Sequence, residues 1–225
     1  MRSYRFDVIR EPVLLPWSGR VFDIMRPASI DQLLDQAIDD PEQNLPYWAE
    51  IWPSGIALGD LLLGTPAHVA GQRVIEIGCG IGVTACAALL ADADLLVTDY
   101  SPESLELCRA NCVTNIGREP MAREMNWRSR PQMMPEAPEG GWPVILAADV
   151  LYERRDIEPL AELLEIALAP AGTLFLAEPG RPVAAAFLDL MRARGWTIAS
   201  RTHEGPWPDP KDEGVVVGLH ELRRA

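Results

Sequence analysis

The run Glu76-Ile-Gly-Cys-Gly-Ile-Gly82 constrains this chain more than any other stretch. Three alternating glycines let a backbone turn tightly, and they let a bound group come within contact of peptide nitrogens. The short apolar pattern Val74-Ile-Glu-Ile before the run reads as a strand, and the small-residue pattern from Val83 to Leu90 reads as a helix. A strand, a glycine turn and a helix in that order open an α/β sheet, with the helix N-terminus aimed at whatever binds.

The rest of the chain fits such a sheet. Tyr4-Arg-Phe-Asp-Val and Val21-Phe-Asp-Ile-Met alternate as strands about the Ser18-Gly19 turn signal. Ser29-Ile-Asp-Gln32 predicts a capped helix to about Asp39. The tryptophan- and proline-containing segment Pro41–Trp52 predicts an ordered loop, and Ser54–Leu63 a helix. Beyond the glycines, strands are expected at Leu95–Thr98, Ala122–Met125 and Val144–Ala148. A strand at Thr173–Ala177 follows, and the final pair falls at Thr197–Arg201 and Val215–Leu219. Ser101-Pro102 caps one helix; Leu160, Leu163, Leu164, Ala167 and Leu168 mark the face of another, and Pro182 opens a third. The stretch Gly117–Pro143, rich in proline and methionine, is expected to be the loosest. The sum is an α/β, doubly wound sheet ending in a hairpin. Residues 1–45 read as an N-terminal β/α extension and residues 46–225 as the main domain.

Composition excludes some partners. A formal net charge of −13 opposes a nucleic-acid backbone and suits a basic protein surface, or simply solubility. Lys211 is the only lysine, and every other basic side chain is arginine. No apolar run reaches the ~18–20 residues of a membrane span. Met1–Arg10 lacks a signal-peptide core, so a cytoplasmic location with reduced thiols is expected. Cys108 and Cys112 share a helix face, but no histidine or second cysteine pair completes a metal site, so core packing is the expected role. His68, His203 and His220 show no partners and read as incidental or surface residues. The sequence sets no oligomeric state.

Gly78, Gly80 and Gly82 by themselves leave the ligand open, because Gly80-Ile-Gly-Val-Thr-Ala85 also fits a dinucleotide pattern. Asp99, at the end of the next strand, suits ribose hydroxyls under either reading. Glu76 separates the two: a carboxylate two residues before the first glycine favours a sulfonium or ammonium and repels a pyrophosphate. The stretch resembles the cofactor loop of class I methyltransferases, which use S-adenosylmethionine (SAM). Asn126-Trp127 and Tyr100 fall at strand ends where such enzymes present groups to the adenosine; core packing is the alternative for the aromatics.

Ala148-Asp149-Val-Leu-Tyr152 ends the Val144 strand on the same side. A carboxylate there can hold an amine in line with an electrophilic methyl, and a tyrosine can wall the pocket. A turn cap and a core aromatic are the alternatives. Asp149-Val-Leu-Tyr152 resembles the D-x-x-Y signature of the seven-β-strand protein-lysine methyltransferases. Pro46-Tyr-Trp-Ala-Glu-Ile-Trp-Pro-Ser-Gly-Ile-Ala-Leu58 resembles the segment that precedes their core. Leu176-Ala-Glu178-Pro-Gly-Arg-Pro182 is similar to the D-P-G-R stretch of the branch acting on the electron-transfer flavoprotein β-subunit, with Glu178 in place of Asp.

The resemblance implies a mostly parallel, seven-stranded Rossmann-like sheet and SAM as cofactor. It implies a protein lysine as acceptor, with Asp149 and Tyr152 catalytic; a small-molecule amine or protein arginine is the alternative acceptor, and a non-catalytic SAM-binding interaction module is the alternative of another class. It further implies that Trp48 and Trp52 line the mouth of the site, with Glu50 a candidate polar contact. For Trp52, packing of a helix on the sheet is the alternative.

Overall fold

The computed structural model describes residues 4–31, 33–34, 44–129 and 137–225. Among them, two strands, β1 (Val8–Leu15) and β2 (Arg20–Pro27), pair antiparallel as a separate ribbon. The other seven form one sheet. They are β3 (Arg73–Ile77), β4 (Asp94–Asp99), β5 (Met121–Glu124), β6 (Trp142–Ala148), β7 (Leu168–Glu178), β8 (Trp196–His203) and β9 (Val217–Arg224). Their order is β5-β4-β3-β6-β7-β9-β8, parallel from β5 to β7, with β9 antiparallel to both neighbours. The expected α/β doubly wound architecture is therefore the observed one.

Five helices flank the sheet among the described residues: α1 (Pro53–Gly64), α2 (Val83–Leu90), α3 (Pro102–Ile116), α4 (Ile157–Ala167) and α5 (Pro182–Ala193). Alternation along the strands splits the core in two. Val74, Leu95, Val97, Val144 and Leu146 join α1, α2 and α3, whereas Ile75, Ile77, Leu96, Ile145 and Leu174 join α4 and α5. Because α1 is buried on nearly every side, it reads as apolar all round rather than as a stripe. None of the described helices is long and apolar enough to cross a membrane. The chain turns from one direction of sheet growth to the other at β3, and ligands bind at such a switch point, outside the strands' C-terminal ends.

The ribbon is tied to this core. Val13, Leu15, Phe22 and Ile24 are fully buried in the same cluster as α1 and α2. Asn111 of α3 accepts from Met25 N at 2.8 Å and donates to Met25 O and Ile81 O, both at 2.9 Å, linking β2 to the glycine loop. Asp60 of α1 accepts from Trp17 N, Ser18 N and Ser18 Oγ at the ribbon's turn.

Several boundaries differ from the sequence reading. The first strand starts at Val8, where the expected one ended, because the burying alternation is that of Val13 and Leu15. Pro12 is tolerated there because a two-stranded ribbon has open edges. Leu168 leaves the helix and pairs with Trp142 at the start of β7, since Pro170 biases the preceding residue toward extended backbone. The last strand runs from Val217 to Arg224, two residues later at its start and five at its end than expected. Pairing on both sides outweighs its polar composition. His203 and His220 are corrected outright, because both are buried and partnered. His203 Nε2 lies 3.1 Å from Asp60 Oδ2 under a stacked Trp17, and His220 lies between Glu178 at 3.1 Å and Ser200 at 2.8 Å.

Ser29 Oγ accepts from Asp31 N, and helical backbone is described at Asp31, Leu33 and Leu34. Gln32 and the rest of that helix to Asp39 lie outside the described residues, as do residues 130–136 of the Gly117–Pro143 stretch. The four cysteines are buried and free, with Cys86 and Cys112 Sγ atoms 3.8 Å apart, and no metal-binding group of side chains occurs among the described residues.

Candidate active site

The glycine loop leaves β3 and enters α2 through backbone that side chains disfavour. Gly78, Gly80 and Gly82 have φ of 65°, 51° and 90°. A Cβ on Gly80 would stand 3.3 Å from Trp48 O, so the tryptophan loop lies directly over this turn. Gly82 is the N-cap of α2, and no side chain caps that helix. Its opening turn thus presents peptide N–H groups at the cleft.

Asp99 at the end of β4 fixes the loop. Its Oδ2 accepts from Gly80 N at 2.9 Å, and its Oδ1 accepts from Ser101 N at 3.1 Å. Ser104 Oγ donates to Gly80 O at 2.8 Å. Burial raises the Asp99 carboxyl above its usual range, and these donors pull it back down. Glu76 has no such support. It is 1% exposed, its Oε2 has no hydrogen-bond partner among the described residues, and burial holds the carboxyl well above the ordinary range. An orphaned carboxylate oxygen facing a cleft is a costly feature that a cationic ligand relieves.

The second half of the cleft forms where β6 ends. Asp149 has a φ of 58°, a left-handed backbone rare outside glycine that turns its side chain at the strand end. Arg181 Nη1 donates to Asp149 Oδ1, and Ser54 Oγ at the start of α1 donates to Oδ2 at 3.1 Å. Burial raises the Asp149 carboxyl, while Arg181 and Ser54 counteract it. Beside it, Tyr47 meets Tyr152 edge-on at 5.1 Å and Trp52 at 6.1 Å between ring centroids. Trp52 Nε1 donates to Tyr47 O at 2.8 Å, and the Arg181 guanidinium lies 5.7 Å from the Trp52 ring. Burial raises the Tyr152 hydroxyl well above its usual value, with the charge of Asp156 adding to it, so it stays protonated.

One cleft joins these parts. Glu76, Gly78, Gly80, Gly82 and Asp99 line it, with Trp48, Tyr100, Trp127 and Ala148 around them and Asp149 and Tyr152 at one end. Glu50 and Trp52 also reach it. Asn126 stands apart: it lines a small neighbouring recess with Tyr100, Trp127 and Tyr152, and its Oδ1 accepts from Arg128 N at 2.9 Å. Tyr47, Trp52, Asp149, Tyr152 and Arg181 bound a side recess. Ser54 and Arg181 were not picked out as site residues from the sequence. Arg181 lies in the Glu178-Pro-Gly-Arg stretch already singled out there, which was the available signal; Ser54 carries none.

Comparison with known proteins adds the following. The family model described as lysine methyltransferase matches residues 37–193. The electron-transfer flavoprotein β-subunit lysine methyltransferase of Xenopus laevis is 33% identical, over 60% of this chain and 53% of that protein. A protein N-lysine methyltransferase of Danio rerio is 32% identical, over 52% of this chain and 54% of its own length. The chain thus spans about half the length of the curated relatives it matches. The fold is shared with magnesium protoporphyrin IX methyltransferase of Synechocystis, at a TM-score of 0.58 and 15% identity, covering 76% of this chain and 78% of the other.

Proposed function

This chain belongs to the lysine methyltransferase family, and from that premise we propose that it methylates a lysine side chain of another protein with SAM as donor. The observation that carries the reading is the pairing, in one cleft, of an orphaned carboxylate oxygen on Glu76 with an Arg181-held carboxylate on Asp149. When bound, SAM supplies a methyl group on a positively charged sulfur. The residues present fit it: Glu76 would face its cationic amino-acid end, Asp99 the ribose, and the glycine turn with the N-terminus of α2 the backbone of the ligand. Trp48, Tyr100 and Trp127 would cover the flat and cationic parts, through stacking and cation–π attraction. Relatives whose names state lysine methylation support the protein acceptor.

The acceptor must attack as a neutral amine, whereas a free lysine is charged until about pH 10.4. The recess bounded by Tyr47, Trp52 and Tyr152 takes the amine out of water, which favours its neutral form. Arg181 acts in the same direction, since a guanidinium beside Asp149 repels a second cation. Asp149 then accepts one N–H of the amine and aims its lone pair, a positioning role. Its two oxygens already accept from Arg181 and Ser54, so the role assigned to Asp149 is to orient the amine, and the proton leaves to solvent. Tyr152 contributes its ring as a wall and its protonated hydroxyl as a donor. Four unpaired thiols suit a reducing compartment, and we place the protein in the cytoplasm on that ground.

Replacing Asp149 with Ala tests the assignment. Methyl transfer is lost while SAM binding by calorimetry stays within a few-fold of the parent. Loss of both, or of neither, overturns the role given to Asp149.

A further inference from the structure

We propose that Lys211 is a self-methylation site: the chain transfers a methyl group to the one lysine it carries. The proposal rests on the reading of the cleft as a lysine methyltransferase site. Every other side chain of the Lys and Arg class is arginine, yet the sole lysine contacts Glu50 and Trp52, two residues that line the cleft. Lys211 Nζ lies 2.9 Å from Glu50 Oε2, 3.0 Å from Asp209 Oδ2 and 5.9 Å from the centroid of the Trp52 ring. Glu50 and Trp52 line the cofactor cleft, and Trp52 also walls the recess that holds Asp149 and Tyr152. One indole therefore meets both Lys211 and the arginine that holds Asp149. This is the aromatic and acidic surrounding that an incoming lysine ammonium needs at the entrance.

Reach and access are both provided for. Lys211 sits on a single turn, Pro210–Asp212, in the connection between β8 and β9. Gly205 and Gly214, with φ of 86° and 81°, mark the two ends of that connection. The lysine side chain is 49% exposed, and ion pairs of that exposure hold a side chain weakly. Transfer requires the turn to shift so that Nζ passes Trp52 into the recess. Being tethered, the amine meets the site at an effective concentration on the order of mM. In the transfer, an Nζ–CH3 bond forms and the donor's S–CH3 bond breaks. Sulfur keeps the electron pair, and one ammonium proton leaves to solvent. Each methyl keeps the charge and takes one of the three N–H donors; after a single transfer two remain for Glu50 and Asp209, and the attraction to the Trp52 face is retained.

The experiment is to incubate the purified full chain, with no other protein, with methyl-labelled SAM and to map the label by peptide mass spectrometry. The expected result is label confined to Lys211, lost in K211R and in D149A, at a rate per molecule that dilution leaves unchanged. K211R is expected to keep its ability to label proteins of a cell lysate. Label on other residues, a rate that falls with dilution, or an unmodified Lys211 in a preparation that labels lysate proteins overturns this proposal alone. Absence of label from both the chain and the lysate overturns it together with the reading it rests on.

Discussion

Replacing Glu76 with Gln should make the ligand-free protein more stable and a poorer binder of SAM at once. Glu76 is a buried acid whose Oε2 has no partner among the described residues, and burial raises its carboxyl well above the unfolded value. An acid with a raised folded pKa binds more protons in the native state than in the unfolded one. Stability is then fully present below the unfolded pKa and is lost as pH rises through the folded one. At neutral pH the amide removes the cost of a buried charge, while its own unpaired N–H keeps the cost of an unsatisfied buried polar group, about 1–3 kcal/mol, so the gain is the charge contribution alone. The melting temperature should rise by roughly 2–4 °C per kcal/mol for a domain of this size. Binding moves the other way. Loss of a charge-assisted partner costs about 1.5–3 kcal/mol, so Kd for SAM should rise roughly 10- to 150-fold. Affinity of the parent protein should also increase as pH rises through the Glu76 titration, whereas the variant should be flat there. Thermal melts and calorimetry across pH read all three effects. A variant that melts lower and binds SAM as tightly as the parent refutes the reasoning.

Other consequences follow from the same geometry. Gly82→Ala places a Cβ 2.6 Å from Cys108 Sγ at a φ of 90°; left-handed strain of about 1–2 kcal/mol and overpacking of about 1–3 kcal/mol should lower the urea midpoint and weaken SAM binding together. An unchanged midpoint would show that the turn has room the structure denies it. Asp60→Ala leaves the donors at the ribbon's turn and the buried His203 Nε2–H without their acceptor, at about 1–3 kcal/mol for a group that stays unsatisfied, and a loss below about 1 kcal/mol in denaturant titration would contradict the network. His203 donates from Nε2 to Asp60 while Nδ1 accepts from Gly205 N, and burial depresses its pKa despite the pull of Asp60. The native state therefore binds fewer protons, and this contribution to stability should fall as pH drops below about 6.5; a pH-independent melt of E76Q, which lacks the opposing Glu76 titration, between neutral and mildly acid conditions would count against this.

Much of the sheet was legible because its signals are local. The glycine loop, the Ser101-Pro102 cap and the Val83–Leu90 helix occur where the sequence puts them, and Asp99 and Asp149 end strands on the same side. What failed was decided by distant partners. The expected final strand at Val215–Leu219 exists, but its continuation to Arg224 is set by β7 and β8 on either side, which no window of its own residues contains. His203 and His220 have carboxylate partners 143 and 42 residues away. Ser54 reaches Asp149 across 95 residues and carries no local mark, whereas Arg181 was visible within a quoted motif but without its role. Asn126 lies on the right strand end, yet it turns beside the cleft because its side chain caps the turn at Arg128.

The central claim is transfer of a methyl group from SAM to a protein lysine. The most direct measurement incubates the chain with methyl-labelled SAM and a cell lysate, hydrolyses the labelled protein fraction and identifies the modified amino acid. The account predicts methylated lysine, absent when D149A replaces the parent chain. Label found only in small molecules, or only in methylated arginine, would contradict it.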